Sequence, residues 1–142
     1  MNRVVMDTNV LVSALLSNGP PAAIIDMAAE GKLTLFNNDL IISEYWNVLQ
    51  RPKFGFHSTQ ISRLIHNIVR AGITIEVNSQ SIIPMPHEDD RIFYDVANVS
   101  HAFLITGNIK HYPHESYIVA PADFLKMYQL NRQEPNVKRA KR

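Results

Sequence analysis

The chain has 142 residues, is 46% hydrophobic and 19% charged, and carries a formal net charge of +1 with no cysteine. That suits one domain with a proper core and excludes disulfides and thiolate metal sites. No apolar run approaches the roughly 18–20 residues of a membrane span. The apolar N-terminal stretch contains Asp7 and lacks a cleavage-site pattern, so it does not read as a signal peptide, and the expected location is the cytoplasm. The charge is unevenly spread. Residues 131–142 hold Arg132, Lys138, Arg139, Lys141 and Arg142 against Glu134, a balance of +4 that leaves −3 on the rest. We therefore expect a folded body over 1–130 and a basic, disordered tail over 131–142. An acidic body that binds nucleic acid needs cations or such a tail to help.

In chain order, Arg3–Met6 reads as a buried strand. Asn9–Ser17 has apolar residues at helical spacing and stops at Ser17-Asn18-Gly19-Pro20-Pro21. Pro21–Glu30 reads as a second helix, with prolines at its start and Gly31 just beyond its end. Leu33–Phe36 is a short strand, followed by a turn at Asn37-Asn38. Leu40–Leu49 carries Ile41, Tyr45, Val48 and Leu49 in a helical stripe and ends before Pro52. Ser58–Ala71 is a helix with Ile61, Leu64, Ile65 and Ile68 on one face and Gly72 as its stop. Ile73–Val77 is a strand and Asn78–His87 a loop containing Pro84 and Pro86. Asp89–Ser100 is a helix with Phe93, Val96 and Ala97 inward. Ala102–Ile105 and Ser116–Val119 are strands, and Pro121–Leu130 is the last helix. Strands alternating with helices imply a parallel sheet of about five strands covered on both faces, an α/β fold. No internal repeat is present.

In such a sheet the ligand crevice lies outside the carboxyl ends of the strands. Asp7 ends the first strand, Glu44 lies in the helix after the second, Asp89 and Asp90 open the helix after the proline-rich loop, and Asn108 follows the strand Ala102–Ile105. These groups fall on one rim. Carboxylates crowded there repel unless a divalent cation neutralises them, and oxygen ligands suit Mg²⁺ or Mn²⁺. Phosphodiester hydrolysis is the matching chemistry. Each residue also has a plainer role. Asp7 taken alone serves equally well as a cap for the helix at Asn9. A solvent-facing Glu44 is ordinary on an amphipathic helix, and acids at a helix start are favoured by the macrodipole. Asp95 is expected on the exposed side of its helix, His111 and His114 in a surface loop, and Tyr45-Trp46 in half-buried packing rather than a base-stacking platform.

The order of these motifs resembles the PIN-domain ribonucleases, in particular the toxin components of toxin–antitoxin pairs. The resemblance runs from Val4 to about Tyr128. It is carried by Val5-Met6-Asp7-Thr8-Asn9-Val10, by Ser43-Glu44-Tyr45-Trp46-Asn47-Val48-Leu49, by Asp89-Asp90-Arg91-Ile92-Phe93-Tyr94-Asp95-Val96-Ala97, and by Leu104-Ile105-Thr106-Gly107-Asn108-Ile109-Lys110-His111-Tyr112-Pro113. The first motif alone is weak; all four in order are fairly specific. The resemblance implies a three-layer α/β/α domain in which Asp7, Glu44 and Asp90 hold the metal. Asp90 is preferred to Asp89 because it lies three residues before Phe93, on the same helical face; Asp89 is assigned to the outer shell. Thr8 and Asn9 match positions that steady the first acid by hydrogen bonds. Many members place a fourth acid where this chain has Asn108, with His111 as the nearby alternative. Asn108 adds no charge, which is expected to weaken binding of a second metal.

The implied activity is Mg²⁺- or Mn²⁺-dependent endoribonuclease cleavage leaving a 3′-hydroxyl and a 5′-phosphate, with Thr106, Asn108 and Lys110 helping to place the phosphate. The resemblance also implies an antitoxin partner that blocks the acidic crevice, with an Arg among the carboxylates, and a homodimer. The rival reading is a degenerate PIN module that binds RNA or a protein and cuts poorly. Other phosphoryl-transfer folds fit less well. The haloacid-dehalogenase-like pattern wants a second Asp where Asn9 stands, a receiver wants an acid pair that is lacking, and no Gly-x-Gly-x-x-Gly follows any strand.

Overall fold

A computed structural model describes residues 2–133. Five parallel strands, β1 (Arg3–Met6), β2 (Thr34–Asn37), β3 (Ile73–Thr74), β4 (Phe103–Ile105) and β5 (Ile118–Val119), form one sheet in the order β3-β2-β1-β4-β5. Six helices accompany them: α1 (Thr8–Leu16), α2 (Pro20–Ala29), α3 (Asp39–Leu49), α4 (Ser58–Ala71), α5 (Arg91–Ser100) and α6 (Pro121–Gln133). This is the expected α/β/α arrangement. The strands are short and apolar; Val4, Val5, Leu104 and Ile105 are fully buried, as strands covered on both faces require. α5 is the crossover from β3 to β4 and packs against β1, β2 and β4. α2 packs against α1, α4 and α6, and α4 also lies on β2 and β3, which covers the opposite face.

The expected elements are all present, with shifted ends. The strand expected over Ile73–Val77 pairs only at Ile73 and Thr74, because its neighbour β2 ends at Asn37 and the chain beyond has no ladder partner except Ile75 N–H to Asn37 O. The last helix continues past Leu130 to Gln133. The basic tail from Glu134 onward lies outside the described residues. Gly72 closes α4 for lack of space: a Cβ there would sit 2.6 Å from the Leu35 carbonyl oxygen. Among the described residues no single helix is long and apolar enough to cross a membrane.

The strand order reverses direction between β1 and β4. That switch point is where an open α/β sheet leaves its crevice, and both strands deliver polar residues to it at their carboxyl ends.

Candidate active site

β1 and β4 run in register, Met6 opposite Ile105, so the next residues, Asp7 and Thr106, emerge side by side. Asp7 N–H still bonds Ile105 O at 2.9 Å. Asp7 is the N-cap of α1 in its backbone, but its carboxylate makes no capping bond. The carboxylate is instead held across the switch point. Thr106 Oγ1 donates to Asp7 Oδ2 at 2.9 Å, and the Tyr112 hydroxyl donates to the same oxygen at 2.8 Å. Among the described residues nothing donates to Oδ1. Asp7 is only 5% exposed, so its buried oxygens depend on such donors for partners.

Thr106 is itself fixed. Its Oγ1 accepts from the Asn108 N–H at 3.0 Å and from Asn9 Nδ2 at 3.4 Å. Asn9 Oδ1 accepts from the Gly107 N–H at 2.9 Å. A Cβ at residue 107 would meet that Oδ1 at 3.3 Å, so a glycine keeps the turn close. Asn9 thus acts on Asp7 by hydrogen bonds relayed through Thr106. Thr8 makes no such bond: its Oγ1 is buried and has no hydrogen-bond partner among the described residues.

From below, the Tyr45 hydroxyl on α3 donates to the carbonyl oxygen of Met6. Burial, then the nearby Asp7 charge, pushes the Tyr45 phenol far above its usual range. The same two causes act on Tyr112, reinforced by Asp90. Both phenols therefore stay protonated and remain donors at any working pH. Tyr45 is buried, so it is no stacking platform.

Asp90 comes from the other side of the sheet's rim. It closes a 3₁₀ turn, Glu88–Asp90, and starts α5 without capping it through its side chain. Burial, then the Asp7 charge, raises its pKa to about 6; His111 and then His87 act in the opposite direction. His111 Nδ1 lies 3.3 Å from Asp90 Oδ2, and the His87 ring rests on the His111 ring with centroids 4.0 Å apart. Two acids so near that one raises the other's pKa form a site with surplus negative charge.

The other expected residues are placed differently. Asp89 is exposed and makes no described contact with this site. Asn108 is exposed and contributes its backbone N–H rather than its amide side chain. Asn108, Lys110 and His111 line a surface hollow with Gly107 and Ile109, where Asn108 and Lys110 are open to an incoming group. Glu44 is half-buried. Among the described residues no three His, Cys, Asp or Glu side chains form a group able to hold a metal ion. Asp7, Glu44 and Asp90 therefore do not form such a group. The neighbour of Glu44, Tyr45, takes the inward position, and a helix turns about 100° per residue, which leaves Glu44 on the flank.

The donor set fits a hard cation in part. Asp7 keeps one oxygen clear of hydrogen bonds, Asp90 is driven towards protonation by burial and then by the Asp7 charge, and among the described residues Thr8 Oγ1 is an unpartnered buried oxygen. Mg²⁺ is commonly held by one or two carboxylates, with waters and phosphates completing its shell.

Asp95 overturns a further expectation. It is buried, not exposed: the Ser81 N–H donates to Asp95 Oδ2 at 3.3 Å, and Arg91 Nη1 donates to Ser81 O at 2.7 Å. The proline-rich loop folds over this side of α5 and covers it. Sequence reading also missed Tyr112 and His87. The only hint was their place near motif residues, since neither type is diagnostic in a loop.

The sequence profile described as PIN domain matches residues 3–110. An uncharacterized protein of Methanocaldococcus jannaschii is 30% identical over 109 residues, covering 75% of this chain and 70% of that protein. No solved structure matches significantly. PIN domains are typically nucleases and usually use divalent metals. The switch-point acid, its partner on the α5 turn and the profile match over most of the chain lead to one conclusion: this chain belongs to the PIN domain family.

Proposed function

We propose that the protein is a Mg²⁺- or Mn²⁺-dependent endoribonuclease and the toxin of a toxin–antitoxin pair. The observation that carries the reading is the Asp7–Asp90 pair at the switch point, with Asp7 Oδ2 doubly hydrogen-bonded and Oδ1 left clear. Asp7 and Asp90 would hold the ion, with Glu44 adding negative charge from the flank of α3. When bound, such an ion offsets charge on a scissile phosphate and makes water a stronger nucleophile.

The chain's own groups do the rest. Thr106 and Tyr112 fix the Asp7 carboxylate so that it does not turn away. Tyr45 ties α3 to the end of β1. His111 balances Asp90 when the site is empty. Lys110 stands in the adjoining hollow, positioned to hold a backbone phosphate, and Asn108 braces the turn through its backbone N–H. An antitoxin that inserts a cation between Asp7 and Asp90 would satisfy both acids and block the site. Action on cellular RNA implies a cytoplasmic protein, and we propose that it works as a homodimer.

Asn108 and the absence of a three-acid group among the described residues favour a second reading, a PIN module that binds RNA and cuts poorly. Labelled RNA incubated with Mg²⁺, Mn²⁺ or EDTA separates the two. The first reading expects metal-dependent cleavage, 5′-phosphate products and loss of activity in Asp7→Asn. RNA retained intact with either metal, or cleavage unchanged in Asp7→Asn, overturns it.

A further inference from the structure

A second surface differs sharply in charge from the acidic crevice. Residues 45–75 carry Arg51, Lys53, Arg63 and Arg70 and no Asp or Glu, although the rest of the body is acidic. All four cations are exposed. None is in an ion pair among the described residues. A stretch of exposed cations with no acid among its own residues favours an anionic partner.

The chain leaves α3 through Arg51-Pro52-Lys53-Phe54-Gly55-Phe56. Pro52–Phe54 forms a 3₁₀ turn closed by Gly55 at φ 66°, a left-handed conformation that glycine adopts without strain. The turn sets Phe54 and Phe56 ring on ring, with centroids 5.6 Å apart and planes 13° from parallel. Both rings are half-buried; Phe56 leans on the core, but Phe54 is not part of it. Lys53 Nζ lies over the Phe54 ring, 5.1 Å from its centroid. On α4, Arg63 and Arg70 are seven residues apart on the exposed face, opposite the buried Ile61, Ile65 and Ile68.

We infer that this surface docks single-stranded RNA: a base stacks on the Phe54–Phe56 pair, Lys53 moves from the ring to the flanking phosphate, and Arg63 holds a neighbouring one. Aromatic platforms beside cations are how proteins hold single strands without reading sequence. A duplex would offer no free base to the rings. Arg70 shares a hollow between α2 and α4 with Asp26, so Lys53 and Arg63 exert the stronger pull. Location supports the assignment. Tyr45 ties α3 to Met6 beside Asp7, and the helix ends at Leu49, about 6 Å further along its axis. The platform follows this helix directly in the chain. The inference rests on the ribonuclease reading and names the surface that holds its substrate.

The test is fluorescence anisotropy of a short labelled oligouridine with the full chain in EDTA, where cleavage plays no part. Phe54→Ala is expected to weaken binding about five-fold or more, while Phe54→Trp binds like the parent. Lys53→Ala with Arg63→Ala should lower the salt slope by about 1.4, roughly 0.7 for each phosphate no longer neutralised. The same differences should persist after deletion of residues 134–142. Unchanged affinity and slope overturn the proposal. So does an effect that disappears with the tail, or one seen only as altered self-association of the protein. If the chain binds through Phe54 and Lys53 but cuts nothing, the platform stands and the nuclease reading falls. If Asp7-dependent cleavage proceeds while the variants bind normally, the reverse holds.

Discussion

Asp7 and Asp90 are the same chemical group and sense each other's charge, yet the chain holds them by different means. Asp7 sits at the end of a central strand, almost without solvent, and its Oδ2 takes two hydroxyl donors from residues 99 and 105 positions away. Asp90 ends a 3₁₀ turn at the surface. It has an imidazole for a partner and a carboxyl pKa raised to about 6 by burial and by Asp7. One acid is fixed in place by neutral donors. The other is adjustable, because its own carboxyl titrates near 6. A strand end in a parallel sheet supplies rigidity; a turn before a helix supplies response.

The largest expected effect comes from the rigid side. Asp7→Asn should abolish metal-dependent cleavage, with a loss of about a hundred-fold or more, and isothermal titration should find Mg²⁺ or Mn²⁺ binding severely weakened. Equal losses for Asp7→Asn and Asp90→Asn would erase the contrast between the two acids. Next is Tyr112→Phe, which removes one donor from Asp7 but little volume. Metal affinity should fall about 10–100-fold. A hydrogen bond to a charged group is worth about 1.5–3 kcal/mol, so urea unfolding in EDTA should register a loss of that order. An unaltered unfolding midpoint would mean that the Tyr112 hydrogen bond to Asp7 does not contribute to stability.

On the adjustable side the prediction concerns pH. The folded pKa of Asp90, about 6, lies above its ordinary value of 3.8. Its contribution to stability is therefore fully present below about pH 4 and is lost as pH rises through about 6. In metal-free protein, Asp90→Asn should flatten the fall in urea midpoint across that window. A slope identical to the parent's would place the charge strain elsewhere. The smallest effect belongs to Asn108→Ala. The side chain is exposed and the bond to Thr106 comes from the backbone N–H, so cleavage should change by less than about two-fold, within the ordinary range of surface substitutions. A larger loss would restore the amide to the site.

Much of this was legible from residue order. Apolar runs of strand length alternating with helical stripes give the parallel sheet, and the proline and glycine stops locate the helices within a few residues. The placement of Asp7 and Thr106 at strand ends followed directly; Asp90 is half-buried and Asp89 exposed. Asp95 was misread because periodicity along α5 registers only that helix. It cannot show that a loop folds back to lay Ser81 against the helix.

The sequence by itself determined the alternation that makes the sheet, and which polar residues its carboxyl edge would present. Those are local matters, set by propensity, period and chain punctuation. The tertiary structure alone decided which of these residues meet. Tyr112 reaches Asp7 because β4 and β5 bring a loop back over β1, and His111 reaches Asp90 because that same loop passes the start of α5. Glu44 stays on the flank because the register of α3 gives the inward place to Tyr45. Contacts between residues a hundred positions apart depend on strand order and helix rotation, and no short window of sequence contains either.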